Sequence, residues 1–474
     1  MRVTRSIPTL RPAARNPEQV GRRLDGGQRL RQVRSCIRGA FRRFFVFTFA
    51  LVAPLQAAAP FEAADREVER LLKSGGVPGA ALIIVKDGAV VHARAFGVSS
   101  VETGAPVTTR TLFRLGSTTK LLVALAALRL VDDGKLRLNQ PAGDLLPELD
   151  PALRRVTLEQ LLTHTAGLAD DVPTHGSADE TALLARVSAW KHDALFAEPG
   201  KVFSYSNPGY VLIGALIARA TGQPFSAAMK TLVLDRMGMA DSTFRPLEAF
   251  TRPVALGHDK GGVIRPIAEH AGNYPPGSLF THVEDLGRFF QALSPERLDR
   301  LGRPRAAIPA QGRSYGYGLL VDEGREALLH TGARSGYGST FLFLPRQRVA
   351  IAVLANRTSA TLSSAAWAAA REAGWAKEPA VEAPPAPVPL TAERLAGLSG
   401  TYANGTFLPP VALAVEGDRL VVRVGGKSFP ATCVGEDRFR AAGAGQLERF
   451  VILRDAAGSA QFLCAETWAL QRRR

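Results

Sequence analysis

The chain has 474 residues, of which 46% are hydrophobic and 22% charged, with three cysteines. These proportions exclude a mainly disordered chain, a collagen-like chain, a polytopic membrane protein and a disulfide-dense mini-protein, and the length suits two to four folding units at roughly 100–200 residues each. The formal net charge is +16, but 12 Arg against two acids fall in residues 1–43, leaving +6 on the rest and no basic stripe with interleaved aromatics, so nucleic acid is set aside as a partner.

Residues 1–59 read as a leader. After Arg42-Arg43 comes an apolar run, Phe44 to Ala53, then Pro54 and the small residues Ala57-Ala58-Ala59. Basic stretch, short apolar run and small residues together describe a secretory signal peptide cleaved after Ala57 or Ala59. The run is too short for a comfortable span of about 20 apolar residues, so no stable membrane span is expected in the mature protein. The basic region is long for a signal peptide, and a start at Val33 would shorten it. The Arg42-Arg43 pair before Phe45 matches a twin-arginine signal only in part. The expected location is periplasmic or extracellular.

Residues 60–377 form the next unit. Glu62 to Lys73 has helical periodicity. Gly79 to Val85 and Ala89 to Phe96 are apolar runs joined through Asp87-Gly88, which reads as a β-hairpin. Thr118 to Val131 is apolar on nearly every side, which predicts a buried helix. Leu158 to Leu162, Tyr210 to Ala220 and Val283 to Leu293 are further helices. Gly316 to Val321, Ala327 to His330, Ser339 to Leu344 and Val349 to Leu354 read as strands, and Ser363 to Trp375 as a helix. Strands at both ends bracket a helical middle, and two terminal helices could cover one sheet face, an α/β or α+β layering. Residues 378–390 are a Pro-rich, stiff linker. Residues 391–474 show short β runs (Val411 to Val415, Arg419 to Val424, Phe450 to Leu453, Gln461 to Cys464) and predict a small all-β barrel or sandwich. Cys433 and Cys464 lie there; in an oxidising compartment they could pair, or stay as two buried thiols.

Three short motifs carry chemistry. Ser117 and Lys120 stand three apart at the start of the buried helix and so share a face. A lysine one turn on can take a serine proton if its pKa is lowered. By itself the pair fits an N-cap serine before a surface lysine equally well. Tyr205-Ser206-Asn207 offers a proton shuttle and an amide, yet Asn207-Pro208-Gly209 is also good turn chemistry. His330-Thr331-Gly332 ends a strand with two polar groups and a glycine that admits close backbone approach. There is no metal-ligand spacing, no carboxylate–histidine cluster and no phosphate-binding loop, so catalysis without a cofactor is expected.

The joint order of these motifs resembles the serine penicillin-recognising enzymes. Leu161-Leu162-Thr163-His164-Thr165-Ala166-Gly167-Leu168, the stretch from Glu198-Pro199-Gly200 to Gly209, and Pro276-Gly277-Ser278-Leu279-Phe280 extend the resemblance over about residues 62–375. The chain is identified as a member of the class C β-lactamase-like, penicillin-binding serine hydrolases, in a D,D-peptidase-like variant with His-Thr-Gly. The resemblance implies a β-lactamase/transpeptidase-like α/β fold, with an antiparallel sheet flanked by helices, a helical subdomain, and here a small C-terminal all-β domain. It implies Ser117 as acylated nucleophile, Lys120 as assisting its deprotonation and Tyr205 as proton relay, with the choice of acylation base between the last two left open. Asn207, His330, Thr331 and Gly332 would bind substrate, and the backbone N–H groups of Ser117 and Ala333 would form the oxyanion hole. His330 stands where β-lactamases have lysine, which favours peptidase or esterase action over β-lactam hydrolysis. Arg334 could then anchor a substrate carboxylate. If His330 titrates near its reference value of about 6.5, activity falls below about pH 6. His164 is read as structural. The resemblance implies an exported enzyme acting on a small-molecule or peptide substrate (a D-amino-acid peptide, ester or β-lactam), with a non-turnover penicillin- or peptidoglycan-fragment-binding protein as the alternative. Residues 60–378 alone would retain the chemistry.

Overall fold

The structure is a computed structural model that describes residues 61–170, 176–260, 262–264, 270–358, 362–377, 385–405 and 409–473; the expected leader and the first half of the Pro-rich linker lie outside these residues. The run predicted as a hairpin forms strands β1 (Gly79–Lys86) and β2 (Ala89–Gly97), turning at Asp87-Gly88. Along β1, Ala81, Ile83 and Val85 enter one core while Ala80, Leu82 and Ile84 enter another. A strand covered on both faces shows no polar alternation, which is why this segment reads as a continuous apolar run.

The sheet is completed by β3 (Ala306–Ile308), β4 (Arg313–Tyr315), β5 (Leu320–Asp322), β6 (Ala327–Arg334), β7 (Tyr337–Leu344) and β8 (Val349–Ala355). Their order is β2-β1-β8-β7-β6-β5-β4-β3, with antiparallel neighbours. Helices α1 (Glu62–Ser74), α2 (Thr119–Asp132), α3 (Asn207–Thr221), α4 (Val283–Ala292) and α5 (Leu362–Glu372) pack around it. α1 and α5 cover one face, as the two terminal helices were expected to. α4 lies on the other face, beside the helical subdomain built on α2 and α3. Every residue of α2 from Thr119 to Leu130 is buried, which accounts for its apolar circumference.

Two readings change. Gly316 to Val321 is not one strand: β4 stops at Tyr315 and β5 begins at Leu320. Between them Gly318 has φ of 76°, and a Cβ there would lie 2.8 Å from the Leu121 Cα, so the chain has to bend tightly over α2. Asn207-Pro208-Gly209 is not a turn but the first turn of α3, with Ser206 as N-cap accepting from the Gly209 N–H at 3.2 Å and proline placed where its missing N–H is harmless.

The C-terminal unit closes into an eight-stranded barrel: β9 (Gly400–Ala403), β10 (Val411–Glu416), β11 (Arg419–Val424), β12 (Lys427–Gly435), β13 (Arg438–Arg440), β14 (Arg449–Arg454), β15 (Ala460–Ala465) and β16 (Trp468–Arg472). Closure removes the exposed edges of a small sheet. Tyr402, Leu413, Val422, Phe439, Ile452 and Leu470 are among the side chains that fill its core. Cys433 on β12 and Cys464 on β15 are both buried free thiols, with two strands between them, so the pairing allowed by the sequence is not made. Burial pushes the Cys464 thiol up to about 12. The barrel's outer residues Phe462, Cys464 and Ala469 pack with Phe196, Ala197 and Val202 of the preceding domain. Among the described residues no helix is long and apolar enough to cross a membrane.

Candidate active site

Ser117 sits in a 3-10 turn, Gly116–Thr118, that runs straight into α2. One turn on, Lys120 is fully buried, and its Nζ lies 3.1 Å from Ser117 Oγ, 2.7 Å from Asn207 Oδ1 and 2.8 Å from the Pro276 carbonyl oxygen. Burial pushes the Lys120 pKa well below its ordinary value; Arg334 lowers it further and Asp170 opposes both. The three contacts can be met by a neutral amine, whose two N–H groups would serve the two carbonyl-type oxygens and whose electron pair would face the Ser117 hydroxyl.

Tyr205 is partly buried, with Lys120 Nζ 4.8 Å from its ring centre. Burial drives the Tyr205 pKa well above 10, against a smaller downward pull from the neighbouring Ser117 hydroxyl. Both directions favour Lys120 as the proton acceptor and Tyr205 as the donor in the choice that the sequence left open.

The segment bearing Tyr205 has no regular structure to satisfy its backbone, and four successive N–H groups are held from outside. Ser204 N–H donates to the His164 carbonyl oxygen at 2.9 Å and Tyr205 N–H to the Thr467 carbonyl oxygen at 2.8 Å. Ser206 N–H donates to His164 Nδ1 at 3.0 Å and Asn207 N–H to Asp170 Oδ1 at 3.0 Å. A buried N–H left without a partner would cost on the order of 1–3 kcal/mol, so these contacts fix the loop. His164 can accept from Ser206 only while Nδ1 is unprotonated. Its ring is buried against Tyr205 at 4.4 Å and Tyr315 at 4.7 Å, and burial holds its pKa well below 6.5. This gives the structural role read for it a definite content: it is the frame of the tyrosine loop. Thr467 belongs to the β15–β16 turn of the barrel, and Ala469 N–H also donates to Ser204 Oγ at 3.2 Å. The barrel is therefore part of the site's wall.

Strand β6 supplies the other wall. β5 pairs only with Ala327 to Leu329, so the stretch from Thr331 onward presents an edge to the nucleophile turn. A Cβ on Gly332 would fall 2.0 Å from the Leu115 carbonyl oxygen and 3.0 Å from Ser117 N, so only glycine permits this approach. A Cβ on Gly116 would lie 2.7 Å from Ala333 N, which puts the Ser117 and Ala333 amides at the same gap. Thr331 is exposed beside it.

His330 is placed differently from a substrate anchor. It is 3% exposed, with Nε2 accepting from the Tyr315 hydroxyl at 3.1 Å and Nδ1–H donating to the Thr331 carbonyl oxygen at 2.7 Å. Burial and Lys120 hold its pKa down to about 3, so it stays neutral across the range in which it was expected to titrate. It backs the Tyr205 ring, 6.1 Å away, from inside. Arg334 is half-buried and close enough to act on Lys120 electrostatically.

Sequence spacing missed several members of the site. Pro276 lay within a stretch already singled out, but its role is a backbone carbonyl. Asp170, Tyr210, Tyr315 and Thr467 carry no local signal. The expectation of no carboxylate–histidine cluster also changes, because the fold joins Asp241, His282 and Asp285. His282 caps α4, accepting from Asp285 N–H at 3.1 Å. Arg110 and Arg252 face Asp241, and Arg288 faces Asp285. Three guanidinium groups already balance the two carboxylates, so this cluster reads as an ion-pair network that starts the helix.

Comparison with known proteins shows the family and the fold. The family model described as Beta-lactamase matches residues 64–374. Penicillin-binding protein 4 of Amycolatopsis lactamdurans is 30% identical over 360 residues, covering 69% of this chain and 93% of that protein. Protein flp of Staphylococcus aureus is 27% identical, and the match spans 62% of this chain and only 63% of flp. Among solved structures, SurE with D-Leu has a TM-score of 0.70 at 28% identity, covering 87% of this chain and 99% of that one. The octameric penicillin-binding protein homologue from Pyrococcus abyssi has a TM-score of 0.58 at 27% identity, covering 86% and 99%.

Proposed function

The chain belongs to the Beta-lactamase family, and from that premise we propose that it is a serine hydrolase that forms an acyl-enzyme on Ser117 from an amide or ester, with a D-amino-acid peptide as the favoured substrate class. The observation that carries the reading is the Lys120 Nζ–Ser117 Oγ contact of 3.1 Å, with the two remaining contacts of Nζ made to pure acceptors. Ser117 Oγ attacks the carbonyl carbon as its proton passes to Lys120. The carbonyl oxygen takes the negative charge between the Ser117 and Ala333 N–H groups. When the tetrahedral species collapses, the leaving nitrogen or oxygen receives its proton through Tyr205, which Lys120 reprotonates. Water then attacks the ester carbon, gives its proton to the same relay, and releases the acid and Ser117. Asn207 and the edge of β6 hold the acyl part, with Arg334 of β6 as the cation assigned to a substrate carboxylate.

Two considerations favour D-amino-acid peptides over β-lactams. A neutral, buried His330 gives less field than a lysine in the same place. SurE, which shares this layout, was solved with D-Leu. The basic stretch and apolar run of the leader support export to the periplasm or beyond.

The test is intact mass of the protein over time with benzylpenicillin, with Ser117→Ala as control. A Ser117-dependent adduct that decays supports a hydrolase. An adduct that persists moves the reading to a stalled, penicillin-binding protein. An equal adduct on Ser117→Ala would end the assignment.

A further inference from the structure

Asp170 follows the Leu168 end of the loop beside His164, and no motif marks it. It is 8% exposed and belongs to the same cluster as the reacting groups. Oδ1 accepts from the Asn207 backbone N–H at 3.0 Å and Oδ2 from Asn207 Nδ2 at 3.2 Å. A carboxylate can only accept, so the Asn207 NH2 group has to face it and the amide oxygen has to face away. The amide oxygen then meets Lys120 Nζ at 2.7 Å.

We propose that Asp170 is a positioning residue for acylation: its carboxylate fixes the Asn207 amide so that Asn207 holds the Lys120 amine with its free electron pair turned to Ser117. The proposal rests on the acyl-enzyme reading. With the amide reversed, an N–H would point at Lys120 and compete with Ser117 for that electron pair. Asp170 also sets a charge balance. Lys120 is faced by Asp170, by Arg334 and His330 of β6, by His164, by Tyr205, and by Tyr210 of α3. Asp170 is the anion in this set; it favours protonated Lys120, while burial and Arg334 favour the neutral amine.

Asp170→Asn separates the two effects. The new amide keeps the shape but presents a donor to Asn207 Nδ2, so the Asn207 amide reverses. The burst rate of Ser117 acylation by p-nitrophenyl acetate should fall by ~10²-fold, within the range for a positioned acid–base group. With the anion gone, Lys120 loses its proton more easily, so the acid limb of the pH–rate profile should move to lower pH. Asp170→Glu, which keeps the charge, should leave that limb in place even where the rate falls. A purely structural role would lower the melting temperature and leave the limb unmoved. If Asp170→Asn does not fold, Asp170→Ser, an acceptor without charge, takes its place. A folded, uncharged variant that acylates within threefold of wild type, with the limb unmoved, overturns the proposal alone. A wild-type protein with no Ser117-dependent burst overturns the acyl-enzyme reading and the proposal with it.

Discussion

Replacing Gly332 with alanine tests how closely β6 must approach the nucleophile. The added methyl would stand 2.0 Å from the Leu115 carbonyl oxygen, 2.3 Å from Ser339 Oγ and 3.0 Å from Ser117 N. The serine hydroxyl can rotate away, but the carbonyl is backbone within the buried nucleophile turn and has nowhere to go. The strand has to retreat instead, by something on the order of 1 Å to restore ordinary contact. Overpacking of this kind costs about 1–3 kcal/mol of stability, which the domain can absorb. The kinetic effect is larger. Retreat of β6 takes the Ala333 N–H away from the Ser117 N–H, and losing one oxyanion donor lowers kcat by ~10²–10³. The assay is the pre-steady-state burst of p-nitrophenolate with p-nitrophenyl acetate, alongside a melting curve. The expected outcome is a folded protein with a burst rate down at least ~10²-fold, the usual loss for a misplaced reacting group. A folded Gly332→Ala protein with a burst within threefold of wild type would refute the placing of the oxyanion hole.

Lys120→Ala should slow acylation by ~10²–10⁴, and stopped-flow acylation that matched wild type would exclude Lys120 as the base. His330 gives a different prediction from the one its sequence suggests. The unfolded chain protonates it near about 6.5, the folded chain only at about 3, so its contribution to stability is complete above pH 6.5 and is lost as pH falls towards 3. The melting temperature should decline over that window while kcat/KM shows no inflection near 6.5. An inflection there that disappears in His330→Gln would contradict this. Phe462→Asp, on the barrel's outer face, puts a charge into the contact with Phe196 and Val202 and should lower acylation ~10-fold or more through the tyrosine loop, since small displacements of reacting groups are costly; unchanged acylation in a folded variant would make the barrel a passenger.

The parts of the fold that could be read from the sequence are those in which one segment decides its own environment. The α2 apolar circumference, the Asp87-Gly88 hairpin and the barrel strand Arg419–Val424 are of this kind. Ser117 with Lys120 is too, because helical spacing alone puts them on one face. The illegible parts depend on what arrives from elsewhere. Gly316 to Gly318 is strand-like in composition, yet proximity to Leu121 bends it. His330 reads as an ordinary titrating histidine until Tyr315 and Lys120 are placed around it. The β12 strand Lys427–Gly435 contains Pro430 in its middle and no regular alternation, so periodicity gave no cue to it. Asp170 is a carboxylate in a loop, and only the fold brings Asn207 to it. The expectation that residues 60–378 would suffice for chemistry made no allowance for Thr467, because no feature near Tyr205 says that its backbone partner lies there.

That partner also sets an order in time. The nucleophile, its base and the frame histidine leave the ribosome early, but the strand that completes the tyrosine loop comes much later, 265 residues beyond Ser204 in the case of Ala469. Until that strand is in place the chain carries a serine and a lysine in register without a seated proton donor. On the acyl-enzyme reading, hydrolytic competence would therefore arrive with the final stage of folding, when the barrel seats the tyrosine loop.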